Sequence, residues 1–376
     1  MDLESRLDSL VRNLATRRRI PHAVLAVENG DGSFQWTGAA GRAQPDGTPM
    51  RPETPYFIAS IDKILTAALI LKLSESDGVL LDAPFVDYLP GQLTQGLHRV
   101  GGEDRTGEIT VRDLLGHTSG LADYIEDRPT GGRTLVDRLV EEGDFAWSLD
   151  EALETVRGRM KPHFPPGRGL RYCDTNYLLL IAIIEAVTGQ PLHRAYDEAL
   201  FRPLDLRHTW LPGHSEPRET MPKPAVLWFR DQPVLMPSAH RSLWSVFSTA
   251  QDTVRILRGL IRGEVFDNPA TFGIMRQRWR RFGFPLDMAA LRAPSWPIEY
   301  GLGLMRFRIP RLFTPIRAIP SVFGHTGSTG TWLFYCEELD LFVAGGVSQA
   351  TAGPVPFRFV PQVLEAVSVK RSLQTR

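Results

Sequence analysis

The sequence predicts an α/β chain of the α+β kind, in which an antiparallel sheet flanked by helices is built from both termini and an all-helical domain is inserted between its halves. β-prone runs occur near the start, from Ala23 to Glu28 and Ser33 to Gly41. They return only near the end, at Tyr300 to Ile309, Gly327 to Cys336 and Leu341 to Val347, while residues 60–260 are mainly helix-patterned. At 376 residues the chain is long for one hydrophobic core, which favours two lobes. The expected division is an α/β domain from 1–58 and 261–376 and a helical domain from 59–260, with the site in the cleft between them.

Taken in order, Leu3, Leu7, Leu10, Val11 and Leu14 form one apolar face of an opening helix. Arg17-Arg18-Arg19 reads as its solvated basic end. Asn29-Gly30-Asp31-Gly32 carries the turn residues of a hairpin between the first two strands. From Ile64 to Leu73 the chain is too apolar for a surface helix. The glycine-containing, charged stretches 101–107 and 123–143 read as exposed loops shaping the rim of a cleft. The basic, proline-bearing segment from Phe307 to Phe323 reads as a loop joining two strands, because prolines spoil an interfacial helix. A last helix is expected from Phe357 to about Val369.

Ser60-Ile61-Asp62-Lys63 is the most informative stretch. A serine and a lysine three apart at the head of a helix face the same way. The apolar run behind them carries Lys63 toward an interior, where its role would be activation of the weakly nucleophilic Ser60 hydroxyl. Taken alone the pair has a plainer reading, with Ser60 as a helix cap and Lys63 reaching water. Two further clusters favour chemistry. Tyr172-Cys173-Asp174 follows a Pro/Gly turn and opens an apolar helix. Gly324-His325-Thr326-Gly327-Ser328-Thr329-Gly330 leads into the β-prone run Thr331 to Cys336, and its glycines would let a ligand lie against the backbone.

Serine-lysine, then tyrosine, then histidine-threonine-glycine, in this order, resembles the serine β-lactamase and penicillin-binding-protein superfamily. Leu114-Leu115-Gly116-His117-Thr118-Ser119-Gly120-Leu121 resembles its class C-like branch, which includes D-alanyl-D-alanine carboxypeptidases, D-aminopeptidases and family VIII carboxylesterases. Arg202 to Leu206, Ser248 to Ala250 and Tyr300 to Leu304 resemble further pieces of that branch, so the likeness covers most of the chain. It implies a β-lactamase/transpeptidase-like fold. It also implies a serine acyl-hydrolase in which Ser60 forms an acyl-enzyme, Lys63 and Tyr172 manage its proton, and the backbone N–H groups of Ser60 and Ser328 form the oxyanion hole. Asp174, His325, Thr326 and Gly327 would line the substrate.

Two departures from the family pattern bear on the substrate. His325 stands where many relatives carry lysine, and with an ordinary value of about 6.5 it would titrate near neutrality. Asp174 replaces the usual asparagine and, ionised, cannot donate a hydrogen bond to a substrate carbonyl. That argues against an efficient β-lactamase. Asp174 is expected to pair with Lys63, or else to receive a substrate ammonium. A carboxylesterase acting on small esters is the first expectation, ahead of a D-amino-acid amidase or peptidase, with an acyltransferase open. The competing class is an inactive binding or scaffold homologue.

Composition narrows the partners. The 43 basic and 43 acidic residues balance, leaving no electrostatic footprint for nucleic acid or an anionic membrane. The expected partner is a small ester or amide. Cys173 and Cys336 suggest neither a disulfide framework nor a metal site, and no cofactor is expected. Cys173 is read as packing rather than as a nucleophile. The N-terminal residues lack a signal-like pattern, so the expected location is cytoplasmic.

Overall fold

The structure, a computed structural model, describes residues 2–283, 294, 297–308 and 320–374, apart from the side chains of 369–374. The expectation of a loop within Phe307 to Phe323 falls largely at 309–319, outside the described residues.

Helix α1 (Leu3–Ala15) begins where the Asp2 carboxylate accepts the Ser5 N–H at 2.8 Å, and it buries Leu3, Leu7, Val11 and Leu14. Strands β1 (His22–Asn29) and β2 (Gln35–Gly41) form the first hairpin. Helix α2 (Asp62–Glu75) buries every residue from Lys63 to Leu71, as its unbroken apolar run requires. Helices α3 (Asp174–Thr188) and α4 (Ala250–Arg262) follow. The chain then returns to the sheet through β3 (Arg280–Arg281), β4 (Glu299–Tyr300), β5 (Met305–Phe307), β6 (Val322–Gly327), β7 (Thr331–Cys336) and β8 (Leu341–Gly346), before helix α5 (Val355–Gln374).

These eight strands form one antiparallel sheet in the order β2-β1-β8-β7-β6-β5-β4-β3. The first and last parts of the chain meet where β1 pairs with β8, with Val24 opposite Gly346 and Asn29 opposite Leu341. Alternation along β1 separates two cores. Ala23, Leu25 and Val27 pack with Leu7 of α1 and Phe359 of α5, while Val24 and Ala26 join α2 and α4 on the other face. Although α4 belongs to the helix-rich middle of the sequence, it lies against β1, β7 and β8.

Two expected strands are divided: within Tyr300 to Ile309, as far as residue 308, Tyr300 ends β4 and Met305–Phe307 forms β5 across the turn 301–304. Gly327 to Cys336 was expected to be continuous, but residues 322–327 and 331–336 are separate strands joined by the three-residue turn 328–330. Gly330, at φ 73°, takes the left-handed position that such hairpins need. The β propensity of Thr331 to Cys336 hid this turn.

Trp332 is wholly buried against Phe359, and its indole N–H has no hydrogen-bond partner among the described residues. Trp332→Ala should cost about 3–5 kcal/mol in chemical denaturation, whereas Trp332→Phe should cost under about 1.5 kcal/mol because it keeps most of the volume and removes an unpaired donor.

Candidate active site

The chain reaches the Ser-x-x-Lys segment through a strained turn. Ala59 takes φ 50°, a left-handed conformation uncommon for a residue with a Cβ, and Ala59–Ile61 forms a 3-10 turn ahead of α2. Ser60 therefore sits on this turn rather than capping the helix, whose N-cap is Ile61. The turn packs against the end of β6, where a Cβ on Gly327 would collide with Ala59, the Ile58 carbonyl and Thr331. Thr331 secures the contact by donating to the Ile58 carbonyl at 2.9 Å. The backbones of Ser60 and Ser328 flank this close approach.

Lys63 is carried inward by α2 and is 5% exposed. Its Nζ donates to Ser60 Oγ at 3.3 Å and pairs with Asp174, the first residue of α3, at 2.6 Å. Burial acts to strip its proton, but the Asp174 carboxylate, helped by Asp62, holds the ammonium well above the usual lysine range. Tyr172 lies beside Ser60 and Lys63, with Lys63 Nζ 5.2 Å from its ring centre. Its hydroxyl is buried and forms no hydrogen bond among the described residues. Burial pushes the phenol well above its ordinary value, against the pull of the Lys63 ammonium.

The structure thus brings Ser60, Lys63, Tyr172 and Asp174 together and takes up the Lys63–Asp174 pairing expected from the sequence. His325 is different. It is wholly buried, its Nδ1 donates to the Thr326 carbonyl at 2.7 Å, and its Nε2 accepts from the Tyr300 hydroxyl at 3.1 Å. Burial, with the nearby Lys63 charge, lowers its pKa to about 3. It is neutral through the range where titration near 6.5 was expected and offers no cation to a carboxylate. Thr326 is also buried, its hydroxyl turned to the Met305 sulfur at 3.5 Å.

Cys173 is buried, its Sγ directed to the Ala122 carbonyl at 3.5 Å. Burial, reinforced by Asp123, pushes the thiol well above its usual value, which suits packing. Among the described residues no His, Cys, Asp or Glu group of three or more is placed to hold a metal ion.

Several residues were not singled out from the sequence. His117, left-handed at φ 57°, accepts from the Cys173 N–H at 3.2 Å and lies 4.4 Å from the Tyr172 ring, so it sets that phenol's position. Asp123 accepts the Asp174 N–H at 2.8 Å and fixes the start of α3. Tyr300, which holds His325, also lies 3.3 Å from the Tyr177 hydroxyl. His117 and Tyr300 were inside motifs read as branch markers. Asp123 opens the stretch 123–143 read as an exposed loop, but it is buried, its Oδ1 accepts the Ile125 and Glu126 N–H groups, and Leu135–Glu142 is a helix; its link to Asp174 spans 51 residues.

The Beta-lactamase family profile matches residues 7–358. The chain belongs to that family. It is 32% identical to esterase EstB of Burkholderia gladioli over 214 residues, 54% of this chain and 50% of the esterase. It is 28% identical to penicillin-binding protein 4 of Amycolatopsis lactamdurans over 260 residues, 65% of this chain and 60% of that protein. The chain therefore spans half to three fifths of these relatives' lengths. Among solved structures, the D-stereospecific amidohydrolase from Streptomyces sp. superposes with a TM-score of 0.69 at 26% identity, covering 96% of this chain and 98% of its own.

Asp62 completes the electrostatics. Burial raises its pKa from 3.8 to about 6, against the attraction of Lys63 and with the repulsion of Asp174. The folded state therefore binds its proton more tightly than the unfolded chain, and the associated stability is present below pH 3.8 and lost as pH rises through about 6. Asp62→Asn should be more stable than wild type at pH 7, by on the order of 1–3 kcal/mol, and the gap should close toward pH 4. Thermal unfolding of both proteins across pH 4–7 measures this difference.

Proposed function

We propose that the protein is a serine acyl-hydrolase, acting as a carboxylesterase on small esters that carry no carboxylate near the scissile bond. The observation that carries the proposal is the Ser60–Lys63–Asp174 chain, with links of 3.3 and 2.6 Å beside the Tyr172 phenol.

In the resting site Lys63 and Tyr172 both hold their protons, so acylation begins with a proton shift inside the cluster. Lys63 passes a proton to Asp174 and takes the Ser60 proton as Oγ attacks the carbonyl carbon. The backbone N–H groups of Ser60 and Ser328 receive the oxyanion. Tyr172 protonates the leaving alcohol, and the Lys63 ammonium stabilises the phenolate left behind. In deacylation, water gives a proton to Tyr172 and its oxygen attacks the acyl carbon. Lys63 then returns a proton to Ser60 and recovers its own from Asp174. Every proton is restored.

Charge supports the choice of substrate. Among the described residues, the Lys63 ammonium beside Ser60 is already paired with Asp174, His325 is neutral, and Asp62 adds a negative charge above about pH 6. From these groups a substrate carboxylate would meet repulsion and no free counter-ion. The likeness to an esterase agrees with this reading. A second reading is a D-amino-acid amide whose ammonium would meet the partly exposed Asp174 carboxylate, and the similar Streptomyces protein is a D-stereospecific amidohydrolase.

Short p-nitrophenyl esters, D-amino-acid amides and nitrocefin, assayed side by side, should rank in that order of kcat/KM. Amides ahead of esters would favour the second reading, and nitrocefin in front would refute the charge argument. Ser60→Ala should abolish fluorophosphonate labelling and lower ester turnover by about a thousandfold or more while the protein still folds. Near wild-type turnover in that variant would remove Ser60 from the mechanism.

A further inference from the structure

A pocket opens between the turn after α1, the turn after β2 and the short hairpin 227–234. It brings Arg19, Arg42 and Arg230 together with only one carboxylate, Asp231, and is walled by Trp228. The Arg19–Asp231 contact is long, at 3.8 Å, and both side chains are exposed. Arg42 lies over the Trp228 indole at 4.7 Å, which fixes the plane of its guanidinium without neutralising it. The three arginines of the lining, set against its one carboxylate, leave two positive charges in surplus, and the Arg230 guanidinium lies over the neighbouring Phe229 ring at 5.3 Å, where it stays unneutralised.

This gathering is built into the backbone. Arg19 and Arg230 stand in left-handed conformations, at φ 66° and 57°, each costing on the order of 1 kcal/mol for a residue with a Cβ. Buried Gln349 holds both: its Nε2 donates to the Arg19 and Arg230 carbonyls at 2.7 and 2.8 Å, and its Oε1 accepts the Arg230 N–H at 3.0 Å. The Gln349 backbone N–H is in turn bonded to the Thr329 carbonyl at 2.9 Å, tying the frame to the β6–β7 turn. One interior glutamine thus joins segments more than 200 residues apart and holds like charges at a common opening.

We propose that this pocket binds a phosphate dianion, free or as a phosphomonoester. Guanidinium forks match phosphate oxygens in geometry and charge, and two surplus positive charges match the dianion. The site is separate from Ser60 and does not depend on the hydrolase reading.

Calorimetric titration of the full chain with inorganic phosphate at pH 7.5, ionic strength held constant with sodium chloride, tests the proposal. Titration with phenyl phosphate in parallel distinguishes a free ion from an organic phosphomonoester. Saturable binding of at least one of them is expected, weakened about tenfold or more in Arg230→Ala and further in Arg42→Ala/Arg230→Ala. The Arg230 side chain is exposed and its links to Gln349 are through the backbone, so the single variant should keep its thermal midpoint. Absence of saturable binding to both ligands, or equal binding by folded Arg230→Ala, overturns the proposal.

Discussion

The site depends on the contact between Lys63 and Asp174, because that ion pair both joins two helices and sets the charge of everything beside Ser60. At 2.6 Å, with the two side chains only 7% and 19% exposed, it ties the first turn of α2 to the first residue of α3. Removing one partner of such a buried pair typically costs about 3–5 kcal/mol, since the survivor keeps its desolvation penalty. Asp123 strengthens the arrangement from behind by accepting the Asp174 N–H. The position of the ammonium relative to Ser60 is therefore fixed from two helices, independent of any substrate.

Around this pair the tyrosines and histidines are kept neutral. His117 accepts a backbone N–H through Nδ1, and burial, with the Lys63 charge, holds its pKa well below the ordinary histidine value. His325 is neutral for the same two reasons, with both ring nitrogens occupied by Tyr300 and the Thr326 carbonyl. The aromatic residues thus form a low-dielectric wall behind the reacting groups, and in such surroundings a single charge acts strongly. The replacement of a permanently charged lysine by His325 changes the wall's charge rather than adding a titrating switch.

Much of the fold was legible because its signals are local. The period of Leu3, Leu7, Val11 and Leu14 gave the opening helix, and the unbroken apolar run after Lys63 gave a buried one. The Ser60–Lys63 spacing placed both groups on one side, and Asp174 was expected as the partner of Lys63. The sequence could not convey how a side chain is used once buried. His325 sits in a motif suggestive of substrate contact, but its partner Tyr300 is 25 residues away and pairs with it only in the folded sheet. The Asp123–Asp174 contact was invisible for the same reason, and the 328–330 turn was masked by the β propensity of its flanks.

The turn that presents Ser60 shows a compromise between strain and packing. Glycine at 59 would adopt φ 50° without penalty, yet alanine stands there and its Cβ fills the space beside Gly327. The two positions divide the available room, one side chain between them, so the Ser60 turn and the end of β6 approach without a void. A Cβ on both would force them apart and widen the interval where the proposed oxyanion donors must converge. Thr331, bonded to the Ile58 carbonyl, and Val246, whose carbonyl accepts the Ile58 N–H, hold the strained turn from either side. Strain at Ala59 can therefore persist because the surrounding sheet and loop over-determine the local backbone, and the placement of Ser60 follows from packing that the reacting groups themselves do not supply.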